Sequence, residues 1–398
     1  MLVRSNMKII PSKRVQSIGA YAFAEIDRKV AELKEQGIQA IDFGVGDPTT
    51  PTPAFIRDEV KKSVDKHASS GYPSYIGSLE FRRTVAEWSK KRFSVSLDPS
   101  TEICSTIGSK EAIFHFPEGF INPGELVLVP TPGYPPFTRG TLFAEGRVYY
   151  YPLLEENRYL PDLERIPEKV AQEARIIWIN YPNNPTGAAA SLDFYQKVVD
   201  FGRKYNIIVA SDEAYSELYF GEPSPSILQV TKEGVCAFHS LSKRSAMTGY
   251  RVGWLAGDQR IVEIFKKVKT NIDSGTPNFI QDAAIKALQD ETHVEEMRRE
   301  YQKKRDILRE AFSSLGFPDS APDATIHYWQ KLPSGISSLD FATRLLQPEI
   351  AIVATPGVAI SDTTEEGLNP GEGYIRFSLV PSIEETQEAA ERLKGLKL

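Results

Sequence analysis

Apolar residues recur every three to four positions over residues 21–36. Phe23, Ile26, Val30 and Leu33 fall on one stripe, and Gly37 follows it. That spacing predicts a helix with a glycine stop. Residues 38–47 read as a short strand entering a Gly- and Pro-rich loop through Pro53, and 54–66 and 78–93 read as helices. From about residue 102 to 257 the pattern changes. Short apolar runs at 103–107, 126–130, 147–153, 176–180, 207–211, 236–240 and 252–257 alternate with helical stretches such as 191–205, where Phe194, Val198 and Phe201 mark one face. Several runs are continuously apolar, as strands covered on both faces are. The alternation predicts an α/β fold, a mostly parallel sheet between helices. A charged helix follows at 290–315 with the stripe Val294, Met297, Tyr301, Leu308, Phe312 and Leu315, ended by Gly316 and Pro318. The tail reads as a small α+β unit, with strands near 325–331, 350–354 and 373–379 and a closing helix at 383–394. We expect a large domain at 46–288 and a smaller one at 289–398, completed by the N-terminal segment 1–45.

Composition narrows the function classes. Hydrophobic residues make up 41% of the 398, and the net charge is −6. A mildly acidic chain with mixed charge gives no reason to expect nucleic acid or anionic lipid as a partner. Its longest basic cluster, Lys303-Lys304-Arg305, reads as a solvated helix face. Cys104 and Cys236 form neither a CxxC pair nor a metal-ligand spacing. They read as buried small hydrophobes, in keeping with a reducing cytoplasm. Residues 1–6 lack the apolar core of a signal peptide, and no apolar run reaches the ~18 residues of a membrane span. The histidines are scattered, so no metal is expected.

Candidate chemistry concentrates just past the apolar runs. Lys243 lies in Ser240-Leu241-Ser242-Lys243-Arg244-Ser245-Ala246-Met247-Thr248-Gly249-Tyr250-Arg251-Val252-Gly253, a turn of small residues after a buried strand. Burial disfavours the charged amine, and a neutral amine can condense with an aldehyde to a Schiff base. Ser240 and Arg251 beside it suit an anion, one as a hydroxyl donor and one as a bidentate guanidinium. Asp212 ends another strand, where ligands of parallel sheets sit, although an isolated aspartate there also serves as a helix cap. Tyr181-Pro182-Asn183-Asn184-Pro185-Thr186-Gly187 is a turn, and Gly108-Ser109-Lys110 opens a helix whose free amides suit a phosphate. Tyr134, in Pro132-Gly133-Tyr134-Pro135, reads on its own as a core residue. Arg376 is the one arginine of an apolar strand, costly there unless paired.

Taken in order from residue 44 to 376, these strings resemble the class I and II aminotransferases, enzymes of fold type I that use pyridoxal 5'-phosphate (PLP). The resemblance covers nearly the whole chain. It implies a large domain with a mostly parallel, mixed sheet and a smaller α+β domain. Lys243 would carry the cofactor and Asp212 would face its pyridinium nitrogen. Tyr215 and Asn184 would serve its phenolic oxygen, with Asn184 also near the substrate. Ser109 and Lys110, joined by Ser240 and Arg251, would hold its phosphate, and Tyr134 would stack on its ring. Arg376 would grip the substrate α-carboxylate, and Gly46, in Gly44-Val45-Gly46-Asp47-Pro48, would let the backbone approach the substrate. Tyr72 matches a tyrosine that reaches the neighbouring subunit's phosphate, which implies a homodimer with shared active sites.

Within the family, residues 21–27, 71–77 and 271–275 look most like LL-diaminopimelate aminotransferases. Arg244-Ser245-Ala246 is closer to enzymes acting on N-succinyl-diaminopimelate, and Ser211-Asp212-Glu213 departs from the Asp-Asn pair of the LL-group. No clear arginine near 270–280 offers a grip for a second carboxylate. The implied reaction moves an amino group between an amino acid and a 2-oxo acid in two half-reactions, with Lys243 as base and then acid. The expected substrate is of diaminopimelate type, with 2-oxoglutarate or glutamate as partner, in lysine biosynthesis. Tyr21, Tyr75, Asn271, Asp273 and Ser274 are the expected partners for its distal polar end. Other readings are an alanine or broad-range aminotransferase, a PLP-dependent C–S β-lyase, and a PLP-sensing regulator; the last usually carries a DNA-binding domain for which residues 1–40 are too short.

Overall fold

The computed structural model describes residues 9–16, 24–48 and 50–396. Its strands are β1 (Ile41–Asp42), β2 (Ile103–Thr106), β3 (Leu126–Thr131), β4 (Arg147–Pro152), β5 (Ala174–Asn180), β6 (Ile208–Asp212), β7 (Val235–Ser240), β8 (Gly253–Gly257), β9 (His327–Lys331), β10 (Ile352–Val353), β11 (Thr355–Pro356) and β12 (Tyr374–Ser378). Seven of them form one sheet in the order β2-β8-β7-β6-β5-β3-β4. The pairings from β7 through β4 are parallel, and β8 runs antiparallel to both of its neighbours. The sheet is therefore mixed but mostly parallel.

Side-chain alternation explains why the strands read as unbroken apolar runs. Along β5, Ile177 and Ile179 enter the core on one face with Phe81, Trp88 and Tyr195. Ile176 and Trp178 enter the core on the other face with Phe116, Phe137 and Phe238. Successive residues point to opposite faces, so a sheet covered twice needs apolar residues at every position. Cys104 and Cys236 are free and lie in this latter core, with Trp178 and Phe238.

A second core forms around the C-terminal strands. β9, β12 and β11 make an antiparallel sheet, and β1 from the N-terminal segment pairs in parallel with β10, Ile41 opposite Ile352. The helix Thr292–Ser314 buries Met297, Tyr301, Leu308 and Phe312 against this region, and Val294 near its start is buried as well. Gly316 ends it at φ +79°, a left-handed conformation that glycine adopts without a Cβ clash. The closing helix Ile383–Leu393 starts at a capping box between Ser382 and Glu385. The basic cluster on the long helix is solvated at Lys303 but not at the two residues that follow it. Lys304 is buried, its amine on Glu300 and over the Tyr301 ring, and Arg305 lies over Phe220 with Asp306 as its ion-pair partner. Long cationic side chains cover apolar surface with their stems when a carboxylate is in reach. No helix among the described residues is long and apolar enough to cross a membrane.

Candidate active site

The parallel strands end on one edge of the sheet, and the loops there surround a cavity of about 930 Å³. Ser109 and Lys110 enter it after β2, Tyr134 after β3, Asn184 after β5, Asp212 at the end of β6, Ser240 at the end of β7 and Lys243 just after it. Because β8 runs the other way, Arg251 reaches the same edge just before that strand begins. The opposite wall comes from the second core: Gly44, Gly46, Thr355, His327 and Arg376. The geometry thus brings together eleven of the expected residues, Ser109, Lys110, Tyr134, Asn184, Asp212, Tyr215, Ser240, Lys243, Arg251, Gly46 and Arg376. Two are not among them. Tyr72 is 84% exposed and does not line this chain's cavity. Tyr21 lies outside the described residues.

Lys243 sits on the short helix Leu241–Arg244, capped by Ser240, whose Oγ accepts the Ser242 N–H at 3.1 Å. Its amine donates to the Gly46 carbonyl. Burial lowers its pKa to about 8; Asp47 opposes the shift, and the charges of Arg376 and Arg251 add to it. Asp212 is 3% exposed, and burial raises its carboxyl to about 7. Its Oδ1 accepts the Ala214 N–H at 3.1 Å, so it is a turn residue and not a helix cap. No cation among the described residues pairs with it. Arg376 has the complementary problem. Nη1 donates to Asn184 Oδ1 at 3.2 Å and Nη2 to the Gly44 carbonyl at 2.8 Å, and Nε is buried without a partner. Burial lowers its pKa to about 10, and no carboxylate among the described residues meets it.

At the other end of the cavity, Gly108 opens the helix Gly108–His115 at φ +70°. A Cβ there would meet Arg251 Nη2 at 2.4 Å, so only glycine lets this guanidinium lie against the helix N-terminus. Arg251 donates to the Thr248 and Ile107 carbonyls at 2.8 and 3.3 Å, which holds it across that terminus. Lys110, Ser109 and the free amides of the first turn complete a site for an anion.

The donor set matches the groups of PLP one by one. The buried, unpaired Asp212 calls for a protonated ring nitrogen. The cationic helix end suits a phosphate, and the depressed lysine suits an aldehyde. Tyr134 supplies an aromatic face, with burial holding its phenol above the ordinary range. The residues fit the cofactor.

Sequence reasoning missed three wall residues. Asn180, 1% exposed, donates to the Asp212 carbonyl at 2.9 Å and accepts the Asn184 N–H at 2.9 Å, tying two site strands together. The only signal for it was a polar residue ending the apolar run 176–180. Thr355 Oγ1 donates to the Gly44 carbonyl at 2.8 Å and accepts from Arg376 at 3.3 Å. His327 lies 3.1 Å from the Tyr215 hydroxyl. The described residues expected at the distal polar end lie outside this chain's own cavity. Asp273 is held by Lys269 Nζ at 2.7 Å, Asn271 donates to the Lys267 carbonyl at 2.7 Å, and neither these nor Tyr75 and Ser274 line the cavity. A polar side chain beside a buried lysine is satisfied locally before any ligand arrives.

Fold and site define a PLP-dependent aminotransferase. The chain belongs to the aminotransferase class I and II family, whose model matches residues 38–393. It is 49% identical over 391 residues to the LL-diaminopimelate aminotransferase of Aquifex aeolicus, covering 97% of this chain and 99% of that one. The substrate-bound BacF structure from Bacillus subtilis superposes with a TM-score of 0.90 at 30% identity, over 98% of both chains. A probable N-succinyldiaminopimelate aminotransferase from Thermus thermophilus matches with a TM-score of 0.87 at 28% identity, over 94% of this chain and 100% of that one.

Proposed function

We propose that this enzyme moves the amino group of a diaminopimelate-type amino acid, LL- or N-succinyl-, to 2-oxoglutarate, forming glutamate, within lysine biosynthesis. The observation that carries the substrate is the near full-length identity to relatives of that name. PLP, when bound, supplies an aldehyde that takes up the amino group and a ring that draws electrons from the substrate Cα. Lys243 is the base that takes the α-proton and the acid that returns it, and its lowered pKa keeps the amine competent near neutrality. Asp212 holds a proton on the ring nitrogen, and Tyr215 and Asn184 serve the phenolic oxygen. Tyr134 covers the ring face. Ser109, Lys110, Ser240 and Arg251 hold the phosphate. Arg376 binds the α-carboxylate with the fork now turned toward Asn184, while the Gly46 backbone limits how the substrate lies.

The same reading divides the chain into a large domain at 46–288 and a smaller one at 289–398 completed by 1–45, supported by the β1–β10 pairing. It makes the enzyme a cytoplasmic homodimer in which the exposed Tyr72 serves the partner's phosphate site. The test compares kcat/KM for LL-diaminopimelate, its N-succinyl form, alanine, aspartate and phenylalanine with 2-oxoglutarate. One diaminopimelate compound is expected to lead. If alanine, aspartate or phenylalanine exceeds both by about tenfold, ~1.4 kcal/mol of transition-state preference, the substrate reading fails. Release of pyruvate and ammonia from cystathionine at a comparable rate would point to β-elimination instead.

A further inference from the structure

His327 sits in the cavity wall and has no part in the chemistry above. It begins β9 and is 1% exposed. Nε2 lies 3.1 Å from the Tyr215 hydroxyl and Nδ1 3.2 Å from Ser378 Oγ. Ser378 ends β12 directly opposite, and the pairing of the two strands sets this contact. The imidazole edge is fixed from a third side. A Cβ on Gly46 would meet His327 Cε1 at 2.7 Å, so Gly46 packs directly on the imidazole while its carbonyl takes the Lys243 amine. Burial and the charges of Arg376 and Lys243 hold the ring neutral. A neutral imidazole carries one N–H, so the chain Ser378–His327–Tyr215 can run in only two directions.

The two directions differ in which proton is left without an acceptor. Suppose Tyr215 donates to Nε2 and Nδ1–H donates to Ser378. The Ser378 hydroxyl proton then needs another acceptor. Ser378 is 0% exposed, and its Oγ has no other hydrogen-bonding partner among the described residues. In the opposite direction every internal donor is used. Ser378 donates to Nδ1, Nε2–H donates to the Tyr215 oxygen, and the only proton left over is that of Tyr215, which faces the cavity. Buried polar groups adopt the arrangement that leaves none of them unpaired.

We propose that Ser378, His327 and Tyr215 form a directed hydrogen-bond chain that aims the Tyr215 hydroxyl proton into the cavity, with His327 as a positioning residue. The inference rests on the reading that Tyr215 serves the phenolic oxygen of PLP. Its first test needs neither cofactor nor activity. Long-range nitrogen–proton NMR on the cofactor-free protein with isotope-labelled histidine is expected to find the Nε2–H form of His327, assigned by its loss in His327→Gln; the Nδ1–H form overturns the proposal. The second test is kinetic. His327→Leu is expected to lower kcat about tenfold or more with KM within about twofold, and His327→Gln, which keeps a donor, to recover most of that loss. In a Tyr215→Phe background the His327→Leu effect should fall below about twofold, since there is no hydroxyl left to aim. An equal loss in both backgrounds overturns the chain and makes His327 a packing residue. If Tyr215→Phe alone changes nothing, the reading of Tyr215 fails, and the wild-type NMR result still decides the direction of the chain. That result also stands if His327→Leu does not fold.

Discussion

At the scale of single residues, the site is built from charges that the protein leaves unpaired. Asp212 shows the consequence. Its folded pKa of about 7 lies above the ordinary aspartate value of 3.8, so the folded protein holds an extra proton between these values. Its contribution to stability is present below the lower value and is lost as the pH rises through the higher one. Cofactor-free wild-type protein should therefore lose stability relative to Asp212→Asn between about pH 4 and 7. The gap should reach at most about 4 kcal/mol, from ~1.4 kcal/mol per pKa unit. Urea titrations of both proteins across that range check it, and parallel curves would sink the assignment. Loaded with PLP, the same variant should keep the cofactor and lose most of its turnover. Arg376→Lys should raise KM about tenfold for every amino-acid substrate, because an ammonium cannot form two parallel bonds to a carboxylate. An effect confined to one substrate would move Arg376 to side-chain recognition. Both residues were legible in the sequence, because a charged group inside an apolar run has few structural reasons to be there. His327 was not legible: a buried histidine in a strand looks the same whether it packs or positions.

At the scale of elements, the joints between strand and helix carry the function. Gly108 connects β2 to the helix that begins the anion site, at φ +70° and under the Arg251 guanidinium. Gly108→Ala adds about 1 kcal/mol of left-handed strain and pushes Arg251 away. We expect it to weaken PLP binding by tenfold or more, read as a dissociation constant by equilibrium dialysis, with near-normal unfolding of the cofactor-free protein. Unchanged PLP affinity would show that the arginine does not act at this terminus. The elements themselves were largely legible. The predicted runs at 126–130, 176–180 and 236–240 lie within β3, β5 and β7, because burial on both faces forces apolar residues at every position. The reversal of β8 was not legible. An apolar strand reads the same in either direction, and only its pairing with β2 and β7 fixes which end Arg251 occupies.

At the scale of the whole molecule, the proposal that Tyr72 crosses to a partner can be tested without a structure of the dimer. A subunit carrying Tyr72→Ala keeps its own Lys243, and one carrying Lys243→Ala keeps its Tyr72. Mixed and refolded together, they should form hybrids with one site that has both residues. Activity should rise above the sum of the two variants alone, with a dimer seen by sedimentation. No gain on mixing would place Tyr72 outside the shared site. The kind of chemistry was written in the chain itself. Lys243, Asp212, Asn184 and Arg376 each sit in a local string whose residue types limit what the backbone and its neighbours can do, and local strings survive being read one dimension at a time. Only the tertiary structure decided which polar groups remain free. Asp273 looked available for a substrate and is consumed by Lys269, and Lys304 looked solvated and is buried against Tyr301. Satisfaction of a polar group depends on partners far along the chain, and folding alone brings them within hydrogen-bond reach.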